Sequence, residues 1–260
     1  MWDRYIAGAD DLSSPLVNER RLVLQFLSLY KKFGYGPPIE NESKIISQQI
    51  KEANPNITWA KFHEIVNDLR SRKILQGETT LYISPRLLHI KLWRDWWEIY
   101  GNTFDFNEFT KKLTPQLLDW FFDMFRYAAE SEQARTLVGD LFSEDGPFIQ
   151  NDLLRNRLGA RFFLSLTEGH PKEALLFLKR YFSDVTKEDL LDFKVGRREV
   201  IWALESIVVW KDLFVDGARI LLSLAEAENE NFSNNASGVF TELFMPGWGK
   251  LAQTEASPHE

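Results

Sequence analysis

Apolar residues recur at three- and four-residue spacing along nearly the whole chain, the period of helices that bury one face. The clearest departure lies around residue 80. Thr58-Trp59-Ala60-Lys61 can cap and open a helix whose Phe62, Ile65, Val66 and Leu69 share one side. Ile74-Leu75-Gln76 and Leu81-Tyr82-Ile83 then flank Gly77-Glu78-Thr79-Thr80, which predicts a strand, a tight turn and a returning strand. Pro85 suits the first turn of a following helix, where a missing N–H costs nothing. Upstream, the pattern predicts a helix over 16–33, closed by Gly34, and another over 43–53, broken at Asn54-Pro55-Asn56. Three helices and a hairpin in this order match a winged-helix domain, expected over 15–100. Residues 1–14 read as a linker or the end of an upstream element, because Trp2, Tyr5 and Ile6 have no preceding partner.

Beyond Pro85 the helical period continues, and no further strand is convincing. Helices are predicted over 87–100, 117–129, 135–142, 149–166, 172–182, 197–209, 214–229 and 239–244, with breaks at Gly146-Pro147, Gly169-His170-Pro171 and Asn234-Asn235. Each is too apolar to stand alone, and no strict sequence period links them. The expected fold class is therefore mainly α: a winged-helix domain, then an irregular HEAT-like α-helical repeat array over 101–260. Pro246-Gly247-Trp248-Gly249 reads as a loop and Thr254 to Glu260 as a polar tail. Both ends look like unfinished packing elements, as expected of a piece of a longer protein.

Charge divides the chain. Residues 16–94 hold 13 Lys/Arg against 7 Asp/Glu, whereas 95–260 hold 17 against 28, within a net charge of −7. The basic part could attract nucleic acid or dock on acidic protein, including the acidic part of the same chain. There is no cysteine, which removes disulfides and thiolate metal sites. No basic, apolar leader opens the chain and no apolar run reaches membrane-spanning length, so a cytoplasmic location is expected.

Chemistry-bearing patterns are sparse. A P-loop needs Gly-x-x-x-x-Gly-Lys-Ser/Thr, but Gly249-Lys250 is followed by Leu251 and lacks the earlier glycine. His63, His89, His170 and His259 have no ligand-spaced partner, so no metal site is expected. His63 reads as a plain surface residue and His170 as a neighbour of a helix cap. Glu144-Asp145 and Glu226/Glu228/Glu230 read as solvated carboxylates rather than an acid–base pair. No catalytic residue is assigned and the chain alone is not expected to be an enzyme. Lys61, His63, Arg70, Arg72 and Lys73 could meet nucleic acid or a partner protein, though Glu64 and Asp68 share their side and Glu78 sits at the turn.

The stretches WDRYIAGADDLSSPLVNERRLVLQFLSLYKKFGYGPP, ITWAKFHEIVNDLRSRKILQG and LYISPRLLHIKLWRDWW resemble the winged-helix region that follows the ATPase core of bacterial STAND NTPases. Residues 198–244 are similar to the helical repeats beyond it. The resemblance implies a non-catalytic switch and sensor array in a signalling or antiphage-defence ATPase, with ATP or ADP bound by the parent protein rather than by this chain. It also implies nucleotide sensing just after the hairpin, where this sequence offers Arg86 and His89. The implied partner is protein, first the upstream ATPase domain and then a second copy. The alternative expectation is a winged-helix DNA-binding regulator with a helical dimerisation or ligand-binding domain.

Overall fold

A computed structural model describes residues 1–245, so the predicted loop at 246–249, the Gly249-Lys250 step, the 254–260 tail and His259 lie outside the described residues. The chain forms two compact units. The first comprises Met1–Met124 with Glu130–Gln133, and the second Phe125–Ala129 with the chain from Ala134 onward. The fold is mainly helical, 68% helix with a small three-stranded sheet.

The first unit opens with α1 (Trp2–Ala7) and α2 (Pro15–Leu27), the latter capped by the Ser14 side chain on the Val17 N–H. Strand β1 (Phe33–Gly34), α3 (Asn41–Ala53) and α4 (Trp59–Ser71) follow, then β2 (Leu75–Gly77), β3 (Thr80–Ile83) and α5 (Arg86–Tyr100). All three strands are antiparallel in the order β1-β3-β2, with Phe33 opposite Leu81 and Leu75 opposite Ile83. The β2–β3 turn needs Gly77: its φ is 112°, and a Cβ there would lie 2.0 Å from the Thr80 carbonyl oxygen.

Three expectations change. The helix predicted over 16–33 ends at Leu27, and Phe33–Gly34 becomes a strand completed by β3. Residues 2–7 are not a loose linker: Ile6 and Ala7 are buried against the unit, and Arg72 donates to the Tyr5 carbonyl at 2.8 Å. The unit also runs past residue 100. A 3-10 turn (Gly101–Thr103), α6 (Phe106–Lys111) and α7 (Pro115–Asp123) bring Phe104, Phe109 and Phe121 onto the α5 tryptophans. Phe104 lies 5.0 Å from Trp97 and 5.5 Å from Trp96 between ring centroids, both edge-on.

The second unit is entirely helical among the described residues. A 3-10 segment (Met124–Glu130) and α8 (Glu132–Leu141) lead into it. The helix predicted over 149–166 is in fact α9 (Pro147–Gln150), a 3-10 turn (Leu153–Arg155) and α10 (Arg157–Gly169), reset by Asn156, whose side chain caps α10. Then come α11 (Pro171–Tyr181), α12 (Lys187–Asp192), α13 (Arg197–Ile207), α14 (Lys211–Glu226) and α15 (Ala236–Glu242). Phe142, Phe148, Phe163 and Phe177 stack in its core, with Phe142 and Phe177 parallel at 5.1 Å.

Far-ultraviolet circular dichroism should be dominated by helix, well over half of the signal. A strand fraction near a quarter would contradict this architecture.

Candidate functional site

On α4 the buried stripe of Phe62, Ile65, Val66 and Leu69 turns Trp59, His63, Asn67 and Arg70 to the other side. Tyr35, carried just beyond β1, lies across His63, Asn67 and Arg70 on that other side. Its hydroxyl is 2.7 Å from His63 Nδ1 and 3.2 Å from Asn67 Oδ1. A single hydroxyl proton satisfies both when Nδ1 carries its own proton: the imidazole donates to the tyrosine oxygen, which donates to Asn67. The Trp59 ring meets His63 edge-on at 4.1 Å, and the Arg70 guanidinium sits 5.4 Å over the Tyr35 ring. His63 is therefore half-buried in an aromatic cluster, a correction to its reading as a plain surface residue. Burial raises the Tyr35 hydroxyl pKa, opposed by Arg70, so the group stays a neutral phenol.

The other basic residues of this face separate into two kinds. Lys61 is held by Glu64 at 3.3 Å and Glu19 at 3.6 Å. Arg72 lies 3.6 Å from Asp68 and is anchored on Tyr5, so it binds α1 to α4. Asp68 also pairs with the buried Arg20 at 2.8 Å. Glu64 and Asp68, which the sequence set against a basic face, are thus neutralised within the unit. Arg70 and Lys73 have no carboxylate within ion-pair distance among the described residues. They border a groove of about 610 Å³ shaped by Asn67, Ser71 and the β2 residues Leu75, Gln76 and Gly77.

Lys73 occupies an unusual place. α4 ends with Ile74 N–H bonded to the Leu69 carbonyl and Lys73 N–H bonded to the Arg70 carbonyl, both at 2.9 Å. That closure requires a left-handed residue in between, and Lys73 takes φ 59° where glycine is the usual choice. The left-handed backbone costs a non-glycine residue about 1 kcal/mol.

At the corner after the hairpin, Arg86 is exposed at the start of α5, but His89 is buried, 7% exposed. His89 Nε2 lies 3.0 Å from the Ser28 carbonyl, which can only accept, so Nε2 carries the proton. Burial depresses its pKa to about 4, against the opposing pull of the Ser28 bond. The two residues implied to sense nucleotide therefore differ in access: Arg86 faces solvent while His89 fastens α5 to the end of α2.

In the second unit His170 is also buried, and burial lowers its pKa. Glu144 and Asp145 are exposed, as expected of solvated carboxylates. Glu228 departs from that reading: it accepts from the Asn229, Glu230 and Ser237 N–H groups and anchors α15. Sequence reasoning missed Arg197 altogether. Its side chain is fully buried and donates to the carbonyls of Leu190, Leu224 and Ala227 at 2.8, 2.6 and 2.9 Å. The only local signal was Gly196, left-handed at φ 80°, whose Cβ position falls 1.8 Å from the Leu154 carbonyl oxygen.

Among the described residues no cluster of three or more His, Asp or Glu could hold a metal ion, and no helix is long and apolar enough to cross a membrane. Comparison with family models, curated proteins and solved structures gave no match.

His89 gives a pH prediction. Its pKa is about 4 when folded and about 6.5 when unfolded, so the unfolded chain binds the extra proton between these values and stability falls as pH drops through that window. Between pH 7 and pH 5 His89 should account for about 2 kcal/mol of lost stability. Urea denaturation of the wild type and His89→Gln at both pH values isolates this term, because the glutamine amide can still donate to Ser28 but does not titrate. Equal pH dependence in the two proteins would refute it.

Proposed function

We propose that this chain is a non-catalytic regulatory and scaffold segment of a STAND-like signalling or defence ATPase. In this reading the first unit is a winged-helix switch, the second an irregular HEAT-like sensor array, and both act by contacting protein. The order helix, strand, two helices and a hairpin, with β3 at the centre of the sheet, supports the winged-helix reading. The observation that carries the function is Lys73. A lysine held in a strained left-handed turn, beside an Arg70 that lacks a carboxylate, indicates a surface kept for an external anionic group. In a chain of net charge −7 such a groove would select an acidic patch on a partner. That partner is the parent's ATPase domain, with a second copy of the chain as the other candidate. ATP or ADP would belong to the parent, with Arg86 the residue of this chain placed to approach it, and the location would be cytoplasmic.

A second reading, a winged-helix DNA-binding regulator, draws support from the neutralisation of Glu64 and Asp68 by Lys61, Arg20 and Arg72. The groove's free charge is then cationic only. The two readings part on salt and on ligand: phosphate contacts require affinity for duplex DNA that falls steeply with salt.

The test is a titration of the chain with the ATPase domain encoded upstream in the same reading frame, and separately with duplex DNA at low salt. Arg70→Glu with Lys73→Glu should weaken the protein complex at least about tenfold, or about 1.4 kcal/mol, with an unchanged circular dichroism spectrum. A salt-sensitive DNA complex lost in the same variant would establish the second reading. An undiminished protein complex would overturn the role of this groove.

Lys73→Gly offers a sharper separation of stability from function. It should raise folding stability by up to about 1 kcal/mol while weakening partner binding. A variant that is less stable, or that binds as well as the wild type, would remove the argument from strain.

The isolated chain should hydrolyse no ATP, and any weak nucleotide binding seen by calorimetry should fall in Arg86→Ala. Submillimolar binding unaffected by that change would place nucleotide elsewhere on the chain.

A further inference from the structure

α11, α12 and α14 enclose a cleft of about 310 Å³ in the second unit, at the lower end of the range of small-molecule sites. Its apolar lining comes from Phe182, Val185, Leu190, Ile220 and Leu224. Leu190 and Leu224 are buried in its floor, while Phe182, Val185 and Ile220 remain half-exposed along its sides. Bonds behind the cleft join two of its walls. The buried Arg197 guanidinium donates to the carbonyls of both Leu190 and Leu224, so one side chain ties α12 to the end of α14. Thr186 and Asp189 form a capping box that fixes the start of α12. A site braced in this way loses little freedom when a ligand enters.

The rim supplies the polar requirement. Lys179 Nζ bridges to Asp216 Oδ2 at 2.6 Å, which commits that carboxylate across the mouth. Arg219 reaches only the other oxygen of Asp216, at 3.7 Å, and its side chain is 76% exposed. Its guanidinium donors therefore meet no acceptor at hydrogen-bond distance among the described residues. Arg219 stands next to Ile220 and one turn from Ser223 on α14, so solvated guanidinium donors free of protein acceptors border the apolar lining. With two cations and one carboxylate at the mouth, the charge left over is positive.

We propose that this cleft binds a small amphipathic acid, an aliphatic body against Phe182, Val185 and Ile220 with its carboxylate on Arg219. Guanidinium meets a carboxylate with two parallel N–H donors, a geometry that an alcohol or an amine cannot copy. The inference concerns the second unit alone and does not depend on the partner assigned to the first.

Octanoate, octanol and octylamine titrated into the full chain by calorimetry provide the test. Octanoate should bind saturably with a Kd of about 1 mM or tighter, in keeping with the affinity available to a ligand of that size. Octanol and octylamine should bind at least about tenfold more weakly. Arg219→Met should remove most of the octanoate preference while leaving octanol unchanged, and Arg219→Lys should restore part of it. Val185→Trp or Ile220→Trp, which fill the cleft from opposite sides, should abolish binding of all three while the circular dichroism spectrum stays native. Failure of octanoate to saturate, preference for octanol or octylamine, or indifference to Arg219→Met would each overturn the proposal, as would full binding in both tryptophan variants.

Discussion

The tryptophans of α5 are covered from two directions, by Phe26 of α2 and by Phe104 beyond the helix. Trp93 and Trp97 are wholly buried and Trp96 nearly so. Aromatic side chains of this kind bury roughly 150–250 Å² each, worth about 4–6 kcal/mol per residue at ~25 cal/mol per Å². Phe26 and Tyr100 cover one side of Trp96, at 5.9 and 5.4 Å between ring centroids. The other side is closed by Phe104, which passes the contact on to Phe109 and Phe121. That packing draws residues 104–121 into the first unit and moves its boundary from 100 to the region of Met124.

The same economy appears in the charges. Cations of the first unit are largely satisfied at home: Arg20 by Asp10 and Asp68, Arg21 by Asp3, Lys31 by Asp123, Lys91 by Asp95. The exposed pairs among them add little stability individually, about 0–1 kcal/mol. Their larger effect is to cancel the field around each pair, and Arg70 and Lys73 are among the cations of this unit that no carboxylate of the described residues reaches. A count over 16–94 gives an excess of positive charge but not its location. Location follows from which carboxylates the fold brings within reach: Asp10 and Asp68 together balance Arg20 and Arg72.

Local signals in the sequence located most of the longer helices: Thr58 accepts a backbone N–H at the start of α4, whose apolar period matches its buried face. The short α12 was not foreseen, although Thr186 and Asp189 form a capping box at its start. The hairpin was legible because Gly77 has a conformation that the turn requires. What escaped depends on residues far apart. β1 has only two residues and exists because the distant β3 pairs with it, Phe33 with Leu81 and Gly34 with Thr80. His63 looked exposed by its helical position until Tyr35 folded over it. Arg197 stands beside Arg198, and apart from the left-handed Gly196 before it nothing local distinguishes the buried guanidinium from the solvated one. Its partners, the carbonyls of Leu190, Leu224 and Ala227, are backbone atoms and leave no trace in side-chain identity.

The segment between α2 and α3 is held by α3, α4, α5, α7 and the sheet. His89 of α5 grips the Ser28 carbonyl, the Lys31 N–H donates to the Trp120 carbonyl of α7, and Tyr30 donates to Gln49 of α3. Phe33 and Gly34 enter the sheet, and Glu42 accepts the Gly34 N–H at 2.6 Å. Tyr35, at its far end, is the residue that organises His63, Asn67 and Arg70 on α4. A partner that displaces Tyr35 must therefore strain a short non-helical strand whose other bonds reach α3, α5 and α7. Leu29, Tyr30 and Phe33 of the segment are themselves buried, so apolar packing adds to these hydrogen bonds, each worth about 1 kcal/mol.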